Sequence, residues 1–586
     1  MFGNIGNIGH MVIAAAQNAP PKDVPPPTPI NLPRCYPQLR DRDPSDARTP
    51  KPLTALLQGI VRPTEVSISH LEALGAHVIP DAPPSALIPD PSFIPDFKVW
   101  EALSSEEVHA TNESTRKRLN TGNLSPGCQT YLERRRELSI PNEAAYRTVR
   151  RLPAPMGQPQ ARLGNAYEFY RHLELFTSFW EDTSKPPKLE DDAVKAGESN
   201  GQTAPAAPES DKASENATGE VQFYRTGSGA QMPPEYRQNI ITAFIKLVAY
   251  DFTCNVSVPR VEPRLQITSN AFSSPRSSYF SSGCTFIFRS PATREAARAG
   301  IVEGPLAAVS ARHTTTFPAA GSGQGPTAAD RESVLDLGRE LVAALITAQH
   351  RAREGRTEKR IGENAWWATK PRWGGGPGGP IGREVEMQSG ADETVGDKDA
   401  PPPENPSSSP SSTRAEAVSL PRRPFSRPGA LSLPSSSRDS KGAKRLKKSG
   451  NHPMYDNYRA IRPPASTWDK KARYEAIGRA RGADYDDIYV VSSVLHHVSV
   501  VRVRVPDRLL AVLEGQPEGT EDAGNGRCWG KLEVWRSPWF DFFKIEDRVK
   551  AMQLVWCMMA WLMRENQGKN EQAGKQGQGD VKMTGI

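Results

Sequence analysis

The feature that most constrains this chain is an apolar run near its C-terminal end, Val549 to Met563. Only Lys550 and Gln553 interrupt it, so a helix formed here has no polar face and has to be buried. The run is shorter than the roughly 18 apolar residues of a membrane span, which predicts a core helix. Ser537-Pro538 combines an N-cap hydroxyl with a proline suited to the first helical position, and predicts where this helix starts.

Alternating residues predict strands in the same region. Leu532 and Val534 share one face of a short segment, and this period of two is typical of a half-buried strand. A second strand is predicted over Val494–Val505, because valines at every other position alternate with arginines. Pro506-Asp507 then predicts a short helix that ends at Gly515.

A third group of patterns predicts helices and strands earlier in the chain. The segment Leu163–Trp180 has large apolar residues at helical spacing, and we expect this stripe to be core. Further helices are predicted over Tyr236–Tyr250 and Ala328–Arg353. Strands are predicted at Cys254–Val258 and Cys284–Phe288. The apolar stripe of the segment Leu163–Trp180 consists of Ala166, Phe169, Tyr170, Leu173, Phe176 and Trp180.

Composition indicates that folded blocks alternate with disordered segments. Hydrophobic residues make up 37% of the 586 residues, below the roughly 45–50% of globular chains. The predicted fold class is α+β, with helix-rich blocks around a small mixed or antiparallel sheet, interrupted by long disordered insertions. The predicted organisation is a Pro-rich disordered tail (1–95), a helical block (96–184), a disordered linker (185–219), an α+β block (220–384), a Ser/Pro/Arg-rich disordered insertion (385–450), an α+β block with the buried helix (451–566) and a disordered tail (567–586).

Neither a metal site, nor a cofactor, nor a catalytic residue is predicted. The six cysteines are far apart, with no CxxC pair and no histidine at ligand spacing, which argues against a zinc finger and a disulfide scaffold. His496 and His497 adjoin a predicted strand, so their side chains are expected on opposite faces, too far apart to share a metal ion. The acidic pair Asp486-Asp487 and the pair Glu546-Asp547 are interpreted as solvated charges.

The segment from 365 to 382, AWWATKPRWGGGPGGPIG, is the candidate contact surface. Aromatic rings that stack on bases, next to cations that pair with phosphates, are typical of proteins that bind single-stranded nucleic acid. The alternative interpretation is a tryptophan-rich flap that packs over the core. The predicted contact residues for a protein partner or nucleic acid are Trp366, Trp367, Lys370, Arg372 and Trp373.

A second short segment predicts nuclear import. Four cations lie within five residues, inside a serine-rich tract predicted to be disordered and therefore accessible to an import receptor. The alternative is a solvated run of charge. The predicted import residues are Lys444, Arg445, Lys447 and Lys448.

Three segments of the folded blocks resemble segments of uncharacterised proteins of filamentous fungi. They are YEFYRHLELFTSFWEDTS (167–184), WWATKPRWGGGPGG (366–379) and WFDFFKIEDRVKAM (539–552). The resemblance implies no activity and assigns no functional residues.

Together these patterns favour a non-enzymatic protein-interaction or scaffold protein of the nucleus or cytoplasm, with an unknown protein partner and no membrane. A formal charge of +7 is mild for this length, so a protein partner is favoured over nucleic acid. The alternative is an enzyme whose active site assembles from distant residues without a recognisable motif. A deep pocket with convergent polar groups would favour that alternative.

The import hypothesis is tested by replacing Lys444, Arg445, Lys447 and Lys448 with alanine in a fluorescently tagged protein. We expect the tag to leave the nucleus, because an import receptor needs the cations. An unchanged nuclear signal would contradict the hypothesis, as would the absence of nuclear signal for the unmutated chain.

Overall fold

A mixed β-sheet with helices on both of its faces organises the chain. The structure is a computed structural model, and it describes residues 24–37, 51–185, 225–257, 264–270, 276–289, 301–312, 314–319, 328–354, 357–358, 472–480, 482–519 and 527–565. The predicted α+β class with a mixed sheet is confirmed. The predicted disordered segments 385–450 and 567–586 lie outside the described residues, as does 185–219 beyond Lys185.

The described helices and strands are numbered separately in chain order. The helices are α1 (Leu53–Gln58), α2 (Ile68–Leu74), α3 (Pro84–Leu87), α4 (Phe97–Ala102), α5 (Ser105–Thr111), α6 (Cys128–Leu138), α7 (Asn142–Val149), α8 (Tyr167–Phe176), α9 (Pro234–Ala249), α10 (Ala328–Arg351), α11 (Asp507–Leu513) and α12 (Ile545–Leu562). The strands are β1 (Ala76–Ile79), β2 (Cys254–Ser257), β3 (Arg264–Ser269), β4 (Arg276–Ser281), β5 (Thr285–Arg289), β6 (Ile301–Arg312), β7 (Thr357–Glu358), β8 (Ala472–Glu475), β9 (Tyr485–Val494), β10 (His497–Pro506), β11 (Leu532–Arg536) and β12 (Phe540–Asp541).

The main sheet joins strands from the two predicted α+β blocks and from the predicted N-terminal tail. Its order is β1-β11-β10-β9-β6-β5-β2, while β12 pairs with β10, and β8 pairs with both β6 and β7. The pairs β1–β11, β6–β9 and β6–β8 are parallel, and the others are antiparallel. The strands near Cys284, Val500 and Leu532 therefore share one sheet.

The sheet separates two hydrophobic cores, because alternate residues of a strand point to opposite faces. On β10, Val498 and Val500 belong to the core that contains α8, α9 and α12. Val501 and Val503 belong to the other core, which contains α1, α2, α10 and the β3–β4 hairpin. Burial on both faces explains why the central strands have few exposed positions.

The predicted core helix is confirmed. The predicted start at Ser537-Pro538 is wrong. Helix α12 is buried on nearly all sides, and Trp556 is among its largest enclosed residues. It begins at Ile545 rather than near Ser537, because the Ser537 hydroxyl instead accepts a hydrogen bond from the Val500 backbone N–H at 3.0 Å. None of the helices in the described part of the chain is long and apolar enough to cross a membrane.

The prediction of a strand over Val494–Val505 is wrong about the residue at which the strand starts. Strand β10 begins at His497. The segment begins with the end of β9, reverses through Leu495-His496, and continues as β10. Leu495 has a φ of 55°, a left-handed conformation that a leucine rarely adopts. Without glycine or asparagine at the turn, the sequence carries no signal for this hairpin.

The predicted disordered tail over 1–95 is wrong for residues 51–95. These residues form α1, α2, β1 and α3, and β1 pairs in parallel with β11. Several prolines of this segment lie at helix starts, where a missing backbone N–H has no cost.

Strand β6 was not predicted, because Gly304 and Pro305 interrupt its pattern. The interruption coincides with a change of partner: Ile301–Glu303 pairs with β8, and Ala307–Arg312 pairs with β9. A proline is tolerated at this change, since it cannot donate to a ladder. Elsewhere, the predicted helices over Leu163–Trp180, Tyr236–Tyr250 and Ala328–Arg353 correspond to α8, α9 and α10, and the predicted aromatic stripe is buried.

A buried carboxylate ties α10 to three strands of the sheet. Glu340 Oε1 lies 3.1 Å from Arg312 Nη2 of β6 and 3.2 Å from Arg536 Nη1 of β11. The Ser492 hydroxyl of β9 donates to the same oxygen at 2.5 Å, and Asp336 pairs with Arg312 at 2.5 Å. These side chains are all almost inaccessible to solvent, so each charge depends on its partners.

Replacing Glu340 with glutamine tests this tie. We expect the free energy of unfolding to fall by about 3–5 kcal/mol, because two buried guanidinium groups lose their shared carboxylate. Urea unfolding measures the change. The matched control is Glu354→Gln at an exposed residue just after α10, which should change stability by less than about 0.5 kcal/mol. Equal stability of the two variants would show that the cluster does not hold the layers together.

Candidate functional site

The residues predicted from sequence to bind a partner or an import receptor lie outside the described part of the chain. They are Trp366, Trp367, Lys370, Arg372, Trp373, Lys444, Arg445, Lys447 and Lys448.

Among the described residues, one candidate site is an open groove between α4, α6 and the first half of α12. Its volume is about 650 Å³, within the range of about 300–1,000 Å³ that is typical of ligand sites. More of its lining is apolar than polar. The lining residues are Pro95, Asp96, Phe97, Lys98, Glu101, Arg135, Ser139, Ile545, Glu546, Val549, Lys550 and Gln553.

Polar groups that line or adjoin this groove are hydrogen-bonded to each other. The Tyr131 hydroxyl donates to Glu101 Oε1 at 2.6 Å and accepts from Gln553 Nε2 at 2.8 Å. Arg135 Nε lies 2.9 Å from the same carboxylate oxygen of Glu101. Burial raises the pKa of Tyr131, so its hydroxyl stays protonated and remains a donor.

The rim of the groove is charged, and its floor is apolar. Lys98, Glu546 and Lys550 are exposed, whereas Phe97 and Val549 are half-buried. Such an arrangement, with a polar rim around an apolar centre, is characteristic of surfaces that bind other proteins.

The second candidate site is a cluster formed by His496, His497 and Asp541. The Nε2 atom of His496 lies 3.7 Å from Asp541 Oδ1, and the Nε2 atom of His497 lies 3.9 Å from Asp541 Oδ2. The two imidazole rings are 4.5 Å apart between centroids. One potential ligand atom from each residue lies within 4.8 Å of the others.

The hairpin turn explains why the two histidines meet. His496 belongs to the turn and only His497 belongs to β10, so strict alternation of faces does not apply to the pair. Strand β12 then pairs His497 directly with Asp541. The sequence-based expectation that the two side chains diverge is therefore wrong. The sequence shows Asp541 only as an acidic residue within WFDFF. No local pattern connects this residue to the two histidines, so sequence reasoning missed the cluster.

His496 is completely buried among aromatic rings. Phe176, Trp180 and Phe543 pack around it, with ring centroids 4.6–6.1 Å away. Both of its ring nitrogens lack a hydrogen-bond partner, and so does Nδ1 of His497. Burial lowers the pKa of both histidines, more strongly for His496, which keeps the imidazoles neutral at neutral pH.

The acidic pair Asp486-Asp487 is engaged in structural contacts. Asp486 is buried and lies 2.9 Å from Arg351, and burial raises its pKa to about 6 despite this partner. Asp487 accepts a hydrogen bond from Arg502 at 2.8 Å. The interpretation of Asp486 as a solvated charge is therefore wrong, and neither carboxylate is free for acid–base chemistry.

Comparisons with protein-family models, curated proteins and solved structures find no match to this chain. The candidate sites therefore rest on their own geometry.

Because the buried ring nitrogens of His496 have no hydrogen-bond partner, we predict that replacing this histidine stabilises the protein. In metal-free protein, His496→Phe should raise the free energy of unfolding by about 1–3 kcal/mol, because it removes two buried polar atoms without partners and keeps an aromatic ring. Thermal and urea unfolding measure this change. His109→Phe, at an exposed position, is the control and should shift stability by less than about 0.5 kcal/mol. A large loss in His496→Phe would show that the imidazole stabilises the fold directly.

Proposed function

We propose that this protein is a non-enzymatic interaction protein that binds a segment of a partner protein in the groove between α4 and α12. The observation that carries the proposal is an open, mainly apolar groove of about 650 Å³ with a charged rim. A helix or extended segment of a partner can place apolar side chains in such a groove.

The internal hydrogen bonds of the groove favour binding over catalysis. A general base or nucleophile needs a lone pair or proton that can reach the substrate. In this groove the Glu101 carboxylate already accepts from Tyr131 and pairs with Arg135. These groups therefore define the shape of the groove and leave its apolar floor as the contact surface.

The rim indicates the chemistry of the partner segment. Lys98 and Lys550 offer ammonium groups, and Glu546 offers a carboxylate, all of them exposed. A partner segment with an apolar ridge flanked by both acidic and basic residues complements this rim.

A nuclear location and contact with nucleic acid remain part of the proposal. They depend on the tryptophan-rich segment 365–382 and on the basic segment 444–448, both outside the described residues. The alternative function is an enzyme with a site assembled from distant residues. It is supported by the cluster of His496, His497 and Asp541, which joins two distant parts of the chain.

The groove proposal is tested with a photo-crosslinking amino acid at Phe97, compared with the same amino acid at Val61, which is 52% exposed and outside the groove. We expect a crosslinked partner only from position 97. Val549→Arg should weaken binding of the purified partner at least tenfold, because a charged side chain occupies the apolar floor, with the melting temperature unchanged.

Val61→Arg is the matched control and should leave binding unchanged. Equal crosslinking at positions 61 and 97, or a Val549→Arg variant that binds the partner normally, would contradict the proposal.

A further inference from the structure

We propose that His496, His497 and Asp541 bind a divalent metal ion of the zinc type. This inference rests on a different part of the molecule from the groove and stands independently of it. Two neutral imidazole nitrogens and one carboxylate oxygen form a donor set that Zn²⁺ commonly takes in proteins.

The spacing of the donor atoms is close to that of a formed site. Tetrahedral Zn²⁺ with bonds of about 2.0–2.1 Å places its ligand atoms about 3.3 Å apart. The observed separations from the Asp541 oxygens to His496 Nε2 and His497 Nε2 are 3.7 and 3.9 Å. These two distances are to different oxygens of Asp541, and one ligand atom from each of the three residues lies within 4.8 Å of the others, so movements of up to about 1.5 Å bring the atoms to the spacing of a formed site.

The hydrogen bonds of the cluster are incomplete in a way that a metal ion would complete. A nitrogen–oxygen distance of 3.7 Å is too long for a hydrogen bond. His496 is fully buried, yet neither of its ring nitrogens has a partner. Burying an unpaired polar group is costly, so a residue with this arrangement needs a compensating ligand. A cation placed between His496 and Asp541 would provide it.

The Asp541 carboxylate is held in place by two hydrogen-bond donors, one to each oxygen. The backbone N–H of Phe543 donates to Asp541 Oδ1 at 3.0 Å, and the Thr183 hydroxyl donates to Oδ2. Outer contacts of this kind orient metal ligands in known sites. Asp541 is only 4% exposed, so water competes little for the carboxylate.

The same contacts show what a bound ion would connect. Thr183 belongs to the segment after α8, and Asn142 of α7 donates to Asp182 in this segment at 3.0 Å. A metal ion at Asp541 would therefore tie the β9–β10 turn, β12 and the segment around Thr183 together. Three protein ligands leave a further coordination position for water or another ligand.

The experiment uses the full-length protein after treatment with a chelator. Zn²⁺ is then titrated in competition with a chromophoric chelator, and the melting temperature is recorded in parallel. We expect one ion per chain bound at this site and a rise in melting temperature of a few degrees. Co²⁺ in place of Zn²⁺ should give visible absorption that indicates tetrahedral nitrogen and oxygen ligands.

Variants separate this site from the other histidines of the chain. His496→Phe, His497→Phe and Asp541→Asn should each weaken Zn²⁺ binding by at least 100-fold, whereas His109→Phe and His172→Phe should bind like the unmutated protein. Thr183→Val, which removes the hydrogen bond to the carboxylate, should weaken binding about tenfold.

Two results would overturn the proposal: no Zn²⁺ binding by the unmutated protein, or equal affinity in His496→Phe and the unmutated protein. If His496→Phe does not fold, Asp541→Asn provides the same comparison, with circular dichroism to confirm that the variant is folded. Zn²⁺ that binds equally well to Asp541→Asn would then belong to other residues, and this outcome also rejects the site.

Discussion

The Glu340 carboxylate is the contact on which the layered arrangement most depends. It pairs with arginines of β6 and β11 and accepts from Ser492 of β9, all without access to solvent. Burial alone would raise its pKa, but Arg536 and then Arg312 reverse this effect and lower it, so the carboxylate stays charged. Because breaking one member leaves an uncompensated buried charge, this cluster fixes how α10 lies across the sheet.

A buried cation, Arg548, performs a similar role on the opposite face. Arg548 of α12 donates to Asn142 Oδ1 and to the carbonyls of Leu138 and Ile140, each at 2.6 Å. These bonds hold the connection between α6 and α7 against the core helix. In both cores, therefore, apolar packing supplies the bulk of the burial, while a charged side chain determines which elements are neighbours.

The two proposed sites have no residue in common, but they adjoin along the chain. Asp541 in β12 supplies the carboxylate of the metal site, and α12, which starts four residues later, forms one wall of the groove with Ile545 and Val549. A metal ion that fixes β12 would also fix the start of α12. The groove and the cluster can nevertheless be tested separately, since Val549 and His496 do not belong to the same site.

The sequence by itself determined the helices and strands in which buried apolar residues recur at a regular spacing. The stripe of α8, the alternating valines of β10 and the apolar run of α12 are all predicted, because burial on a helix or strand repeats locally. The tertiary structure alone decided the pairing of β1 with β11, the turn at His496, and the partners of Glu340. Arg536 lies 196 positions from Glu340, and Asp541 meets two histidines of another hairpin. Charged and metal-ligating groups are brought together by chain topology, and single buried contacts of this kind leave no periodic signal in the sequence.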